Sequence, residues 1–589
     1  MLGMTNDLRA KALADLFQHL IPEMILGALA CVLFLGGTWK ANRALWAGVT
    51  LAGIVLAGVA LWFGPAQATV TNVGSAGNYA DRFTITSGGK GYETPPLVQL
   101  TGAGGTGAVA HAVVTKGIVT SIVLDSPGNG AYTTFNVVID PPHAVVGMPL
   151  VFDHLTQMIR WIALGCGLLL TLFGWSEVPP SRASDFFACL VIIVAGMSFT
   201  AAANDLVFLF LALELVSIPT YVLLYLPRSD KEAHEAAIKY FLLSVFSSAL
   251  LLFGFSYLYG LGGTTNLAAM QSALGTAGPS AMPPIGLVAL IMVVAGLGFR
   301  ITAVPFHFYA PDVYQGTATI CAALLSLVPK VVGFTALVRV LGFVLPLGVA
   351  PRADGIIGES LGESVPVLFW FLAVVSMSLG NLLALLQDNV RRLLAYSSVA
   401  HTGYMLMALA TAPLLASGQI DGAAAVSALF FYVVAYGVMT TGAFAVLSYL
   451  ESDAKRIESM DDLAGLGSHR PGLALVMTIF LFSLIGIPLT AGFAGKFLIF
   501  FGAMAVPEPH AALYRTLALV GVINAAIGGW YYLRIVAIMY LRPSLEAQQG
   551  RRTWPGLATL LICGALTLGF GVPPGVDWLM GKAQQAVKR

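Results

Sequence analysis

Apolar runs long enough to cross a lipid bilayer recur along nearly the whole chain, and no other feature limits its fold as strongly. A hydrocarbon core about 30 Å thick takes roughly 20 consecutive apolar residues in a helix. By hydropathy about fourteen such stretches can be read, at roughly 21–38, 44–64, 153–175, 185–203, 205–226, 236–261, 284–309, 317–345, 365–386, 392–411, 422–449, 473–502, 513–541 and 555–575. Only 10% of the 589 residues are charged, against roughly 25% in soluble domains. Most of the surface therefore faces something other than water. Lipid offers the backbone no hydrogen bonds, so each span must satisfy its own, and helices do this. The expected fold is an all-α polytopic membrane protein. The 185–226 stretch is nearly continuous, and Ala203-Asn204-Asp205 is the place to turn.

Basic residues in short loops set the expected orientation. Alternate loops hold Lys40 and Arg43, Arg182, Arg228 and Lys231, Arg391 and Arg392, then Lys455, Arg456 and Arg470, and finally Arg542, Arg551 and Arg552. The opposite loops hold almost none except Arg352, with Lys582, Lys588 and Arg589 in the tail as a counter-signal. This places the first set in the cytoplasm and both termini outside. Met1–Leu20 lacks the basic start and small-residue cleavage site of a signal peptide, so the first span is expected to be retained. A net charge of +1 argues against nucleic acid. Cys31, Cys166, Cys189, Cys321 and Cys563 each lie alone in an apolar run, without the spacing of a metal, haem or iron–sulfur site. They read as small buried hydrophobes.

Residues 66–148 break the pattern, separating a first helical part (1–65) from a second (149–589). They are rich in Gly, Thr and Val and contain no span. Ser87-Gly-Gly-Lys-Gly-Tyr92 followed by Pro95-Pro96-Leu-Val-Gln-Leu100 is echoed by Ser126-Pro-Gly-Asn-Gly-Ala-Tyr132 followed by Asn136-Val-Val-Ile139. Between them Ala110–Thr115, a Lys116-Gly117 turn and Ile118–Leu124 read as a β-hairpin. The expectation is a small β-rich domain on the outer face, similar to the glycine-rich GGxGY-type repeats of some bacterial surface proteins. A passive decoration is the simpler reading of its role.

Ionisable residues at membrane depth are costly and so become functional candidates. Six stand out: Glu214, Lys239, Arg300, Lys330, His401 and Lys496. Proton transfer through a dry interior wants such groups. Desolvation pulls a lysine pKa down and a nearby carboxylate pulls it back up. At 4 Å and an effective dielectric near 20 that attraction is about 4 kcal/mol, or roughly 3 pKa units. The plainer alternatives are an ion pair that locks helices, a satisfied core histidine at His401, or a lysine reaching the interface, which fits Lys239 best. Two spans also carry helix breakers beside their charge: Pro305 after Arg300, and Gly486-Ile-Pro488 with Gly492 before Lys496. Interrupted spans at matching positions mark inverted-repeat transporters. Here they are the seventh and twelfth, which fits two inverted five-helix repeats, spans 4–8 and 9–13.

Further segments carry a family resemblance: Asn204-Asp-Leu, Leu213-Glu-Leu215, Lys239-Tyr-Phe241, Val304-Pro-Phe-His307, Pro311-Asp-Val-Tyr-Gln-Gly316, Val328-Pro-Lys330, Ala400-His-Thr-Gly-Tyr404 and Ile487–Lys496. Outside 66–148 the chain resembles the antiporter-like membrane subunits of bacterial-type NADH–quinone oxidoreductase (complex I). The Pro-Asp-Val-Tyr-Gln-Gly run favours the subunit N type over L and M. The resemblance implies a membrane-arm proton channel of the bacterial inner membrane, a translocase component without a cofactor of its own. NADH, FMN, iron–sulfur clusters and quinone would belong to partner subunits, and the partners would be neighbouring antiporter-like and small membrane subunits within the lipid bilayer. It also implies roles: Glu214 as the carboxylate of the first half-channel, Lys330 as its central lysine, His401 as a relay, Lys496 as the exit lysine, and Lys239 as a further lysine of the pattern. The family usually has lysine where this chain has Arg300. Guanidinium has a pKa above 12, so its deprotonation at pH 7 costs at least about 7 kcal/mol. Arg300 can hold Glu214 ionised but cannot pass a proton on, and a path through Lys330 that bypasses it is expected. An Mrp-type cation/proton antiporter subunit and a non-pumping structural subunit are the alternatives.

Overall fold

The computed structural model describes residues 6–72, 83–90, 92, 95–106, 109–126, 129–139, 149–270, 284–342, 361–416, 423–452, 456–543 and 553–587. Lys455, Arg352, Arg551, Arg552, Lys588 and Arg589 lie outside these. Among the described residues, eleven helices are long and apolar enough to cross a membrane. They include α1 (Asn6–Gly37), α2 (Arg43–Phe63), α3 (His154–Gly174), α4 (Ala183–Ala202), α5 (Leu206–Tyr225), α6 (Lys231–Gly262) and, after interrupted elements, α9 (Thr319–Leu341), α10 (Leu361–Leu385), α11 (Val390–Ala416), α12 (Ala423–Leu450) and α15 (Ala511–Leu541). The turn after α4 falls at Ala203–Asp205, where Asp205 caps α5 through Val207 N and Phe208 N.

Two spans read as continuous from hydropathy are broken. The seventh runs as α7 (Pro284–Arg300), an irregular segment, and α8 (Ala310–Gly316). The helix therefore stops well before residue 309, with Thr302 in the left-handed region (φ 59°). The twelfth splits into α13 (Pro471–Ile485) and α14 (Ala491–Met504) around Gly486 (φ 96°) and Leu489 (φ 70°). Two further helices, α16 (Trp554–Gly569) and α17 (Gly575–Val587), follow.

The packing is inside out relative to a soluble protein. Helices α9, α11 and α12 are enclosed almost throughout, whereas α1, α2 and α6 expose long apolar faces. Phe241, Phe246, Phe253, Leu519 and Trp530 point outward, while Arg300, Lys330, Arg391, His401 and Lys496 are buried. An apolar exterior of this kind suits lipid, and the charges retreat from it. Glycines allow the closest approaches. On α10, a Cβ at Gly380 would come within 2.5 Å of Ala400 N, and on α11 one at Gly403 would come within 2.5 Å of Met377 N. Small residues bring helix backbones together in this way.

Guanidinium groups tie one face of the bundle. Arg43 donates to Ser176 O and Val178 O, and Arg182 to Leu226 O. Arg228 donates to Gly316 O, Arg391 to Thr317 O, and Arg456 to Gln315 O and Thr317 O. The α8–α9 junction is thus gripped from two loops and from the first turn of α11. At the opposite face Arg339 closes α9 with a two-pronged pair to Asp153, both contacts 2.6 Å. Arg160 pairs with Glu23 at 2.8 Å, tying α1 to α3.

Between α2 and α3 the chain forms strands. β1 (Thr69–Asn72) pairs with β2 (Phe83–Ser87), and a four-stranded sheet has the order β5-β4-β3-β6. Its strands are β3 (Leu97–Thr106), β4 (Val109–Thr115), β5 (Ile118–Ser126) and β6 (Asn129–Ile139). The β4–β5 turn places Lys116 and Gly117 at φ 54° and 76°, as a two-residue hairpin requires. Tyr92, Val98, Ala112, Val119, Ile122, Val137 and Ile139 belong to a hydrophobic cluster separate from that of the helices. Gln67 joins the two parts, donating to Ile139 O and accepting from His154 N.

Candidate functional site

Arg300 is the last residue of α7 and reaches α5, where Nη2 donates to Glu214 Oε1 at 3.0 Å. Nη1 binds Leu213 O at 3.2 Å and the Ser217 hydroxyl. Ser248 on α6 donates to the same carboxylate oxygen at 2.6 Å. The charges at Glu214 and Arg300 therefore meet, in a dense set of partners with the guanidinium only 6% exposed. Lys239 does not join them. Its side chain is 40% exposed and pairs with Glu235 at 2.7 Å and Asp312 at 2.8 Å. Asp312 is also held by Arg392 at 2.6 Å, so Lys239 braces α8 against α6 and α11 near the arginine-bearing face.

Lys330 lies halfway along the enclosed α9 and is 1% exposed. Its ammonium donates to Ser398 O at 2.9 Å, Thr302 Oγ1 at 3.2 Å, Ile301 O at 3.3 Å and the Thr402 hydroxyl. All four partners are neutral. The break after Arg300 is what supplies Ile301 O, since a continuing helix would have used that carbonyl internally. The second break works in the same way. Lys496, on α14, donates to Leu484 O at 2.8 Å and Ile485 O at 3.0 Å, the last carbonyls of α13. Each interrupted helix thus ends on a buried lysine, where the negative end of its dipole favours a cation.

Between these lysines His401, one of the six candidates, meets a set of ring and amide groups that the charge-based reading of the sequence passed over. His401 on α11 meets Tyr432 OH through Nδ1 at 2.5 Å and Tyr532 OH through Nε2 at 3.2 Å. Tyr532 is also bonded to Ser397. The Tyr436 ring stands between, 5.3 Å from Lys330 Nζ and 5.0 Å from the His401 ring. Toward Lys496, the ammonium sits 4.9 Å from the Tyr404 ring centre. Asn381 Nδ2 donates to Tyr404 OH at 3.2 Å and to Asn524 O at 3.0 Å, and Tyr531 donates to Asn381 Oδ1 at 3.0 Å. An asparagine inside an apolar run was the available signal for this network. Tyrosine gives a weaker one, because its ring packs as well as any apolar side chain.

A second group of hydroxyls has no hydrogen-bond partner in the protein: Tyr314, Thr317, Ser398, Tyr436 and Thr440. All are almost completely buried. Tyr314 and Tyr436 both approach Ser398, and Tyr436 also approaches Thr440, without hydrogen-bond geometry. A buried hydroxyl left unpaired costs about 1–3 kcal/mol. Five would cancel much of the roughly 5–15 kcal/mol that holds a domain folded, and interiors satisfy such groups with water.

Comparison with known proteins fits this arrangement. A family model described as "NADH:quinone oxidoreductase/Mrp antiporter, TM" matches residues 203–521. NADH-quinone oxidoreductase subunit N of Trichlorobacter lovleyi is 39% identical over 405 residues, covering 69% of this chain and 77% of that protein. The subunit N of Myxococcus xanthus is 36% identical over 495 residues, covering 80% and 91%. Among solved structures, a chain of respiratory complex I from Thermus thermophilus superposes with a TM-score of 0.65 at 26% identity, over 94% of this chain and 98% of that one. The matched segment contains both broken helices and Glu214, Lys330, His401 and Lys496, and the chain belongs to the NADH:quinone oxidoreductase/Mrp antiporter membrane family, among its subunit N members.

Proposed function

We propose that this chain is a proton-conducting membrane-arm subunit of an NADH–quinone oxidoreductase, driven by quinone reduction in other subunits. The observation that carries the reading is the burial of Arg300, Lys330, His401 and Lys496 within the bundle, with Arg300 paired to Glu214 and both lysines seated on broken-helix ends. Lys330 takes up and releases the proton, His401 relays it, and Lys496 passes it toward the outside. Glu214 pairs with Arg300, whose guanidinium holds its proton at any physiological pH. Lys239, at the bundle surface, acts as a brace. NADH, FMN, iron–sulfur clusters and quinone belong to partner subunits, and neighbouring antiporter-like and small membrane subunits cover part of the apolar exterior.

The face gripped by Arg43, Arg182, Arg228, Arg391 and Arg456 is the cytoplasmic one by the rule that basic loops stay inside. Each interrupted pair makes one crossing and Trp554–Gly569 another, so with the eleven full-length helices the chain crosses fourteen times. Both termini and the β-rich insert then lie outside, and spans 4–8 and 9–13 form two inverted repeats. Reconstituted complex carrying Lys330→Ala or Lys496→Ala is expected to pump fewer protons and to oxidise NADH more slowly. Normal coupling in both variants defeats the mechanism.

A further inference from the structure

We infer that four oxygens around Lys330 Nζ form a monovalent-cation site, which the lysine fills with its own tethered ammonium, so that Lys330 is the residue that shuts alkali-metal ions out. The site itself stands on geometry; its meaning for selectivity rests on the proton-conducting reading. Two oxygens come from the break after α7, Ile301 O at 3.3 Å and Thr302 Oγ1 at 3.2 Å from the nitrogen. Two come from one turn of α11, Ser398 O at 2.9 Å and the Thr402 hydroxyl. The hydroxyl hydrogens are taken up elsewhere. Thr302 and Thr402 both donate to Ile301 O at 2.6 Å, which leaves their lone pairs to face the ammonium. Thr302 holds its place at φ 59°, a conformation that a β-branched residue rarely adopts.

Such a set is what a dehydrated monovalent ion needs. Carbonyl and hydroxyl oxygens replace a hydration shell without adding charge, and the C-terminal ends of half-helices hold sodium ions or protons in transporters. A divalent ion would want carboxylates, and none of the four groups is one. The three longer contacts, 2.9–3.3 Å, suit an ion of ammonium's size, to which potassium and rubidium come close. The Tyr436 ring, 5.3 Å from Nζ, adds a face that attracts cations. Lys496 is different. Its partners are two backbone oxygens and the Tyr404 ring, too few to strip an ion of its water. Tethering gives the Lys330 nitrogen an effective concentration that a dissolved ion does not match. A proton can leave it without opening the site, because the neutral amine still fills the position.

Binding of radioactive rubidium to the purified, assembled complex tests the site, with choline chloride holding ionic strength constant. Lys330→Met reaches as far as the last carbon of the lysine and vacates only the nitrogen position. It should bind one rubidium ion more per complex than the unaltered protein, displaced by ammonium or potassium and not by choline. Lys330→Met with Thr402→Val should lose most of that binding, and Lys496→Met should gain none. No extra rubidium in Lys330→Met, or an equal gain in Lys496→Met, overturns the site. Proton pumping by Lys330→Met is measured in parallel. Pumping lost with no rubidium bound removes the site and leaves the proton-conducting reading standing. Normal pumping fells that reading, and the exclusion role goes with it even where rubidium binds. Should Lys330→Met fail to assemble, Thr402 decides with the lysine in place. Thr402→Val should then slow pumping several-fold while Thr402→Ser, which keeps the hydroxyl, does not, and normal pumping in Thr402→Val overturns the inference.

Discussion

Arg300 commits its surroundings to a permanent charge. With Glu214 beside it, the guanidinium is matched; without it, a buried cation or anion is left unpaired, a loss of about 3–5 kcal/mol. Arg300→Met should therefore reduce the yield of assembled complex sharply, and Arg300→Met with Glu214→Gln should recover most of it, as read from complex content in membranes. Equal yields for the single and double variants would show that the pair is not coupled. A different carboxylate carries a pH signature. Glu177, in the loop after α3, accepts from Ile320 N at 2.9 Å. Burial pushes its carboxyl up to about 7, with Glu451 adding repulsion against the opposing Ser448 hydroxyl, Ile320 amide and Arg391. The folded protein therefore binds this proton more tightly than an unfolded chain, whose value is near 4.5. The contribution to stability is complete below that value and lost as pH rises through 7. The thermal midpoint of Glu177→Gln should fall less between pH 5 and pH 8 than that of the unaltered protein. Charges such as Glu214, Arg300, Lys330 and Lys496 were visible in the sequence because nothing apolar explains them. The hydroxyls of Tyr314, Ser398 and Tyr436 were not, since only the fold shows which of them lack partners.

Elements succeed here by stopping. Hydropathy ran the seventh span through Pro305 to residue 309, whereas α7 ends at Arg300 and Thr302 turns into the left-handed region. An average over many side chains cannot register one backbone carbonyl turned toward a lysine. Proline and glycine beside a charge did point to both interruptions, and Asn204-Asp205 to the turn where α5 is capped. Helix contacts were less legible. The reciprocal approaches at Gly380 and Gly403 need an α10–α11 separation that pattern alone does not fix. A Cβ at Gly403 meets backbone, which cannot rotate away, and such overpacking costs about 1–3 kcal/mol. Gly403→Ala should push α11 off α10, lower the thermal midpoint and slow NADH oxidation by displacing nearby His401. An unchanged midpoint would mean the helices part freely.

At the scale of the whole molecule, the helical body and the strands have separate hydrophobic clusters joined through Gln67 and His154. Neither core needs the other to exclude water. Replacing residues 69–138 by a short glycine–serine link, with Gln67 and Ala68 kept, should leave proton pumping and complex content unchanged. A loss of assembly would give the insert a partner on the exposed surface and end its reading as a decoration. Hydropathy made the helical plan readable over almost all of the chain, whereas the strands of the insert had to be read from alternation, a repeated glycine motif and the Lys116-Gly117 turn.

A lysine bearing its proton has three N–H groups, and one without it has two. Where such a side chain fastens the cut end of a half-helix, as Lys496 does at Leu484 and Ile485, each departing proton also weakens the tether, because a neutral amine is a poorer donor than an ammonium. Charge movement and slackening of the scaffold are then the same event, and a signal from distant chemistry can reach these spans as mechanical load.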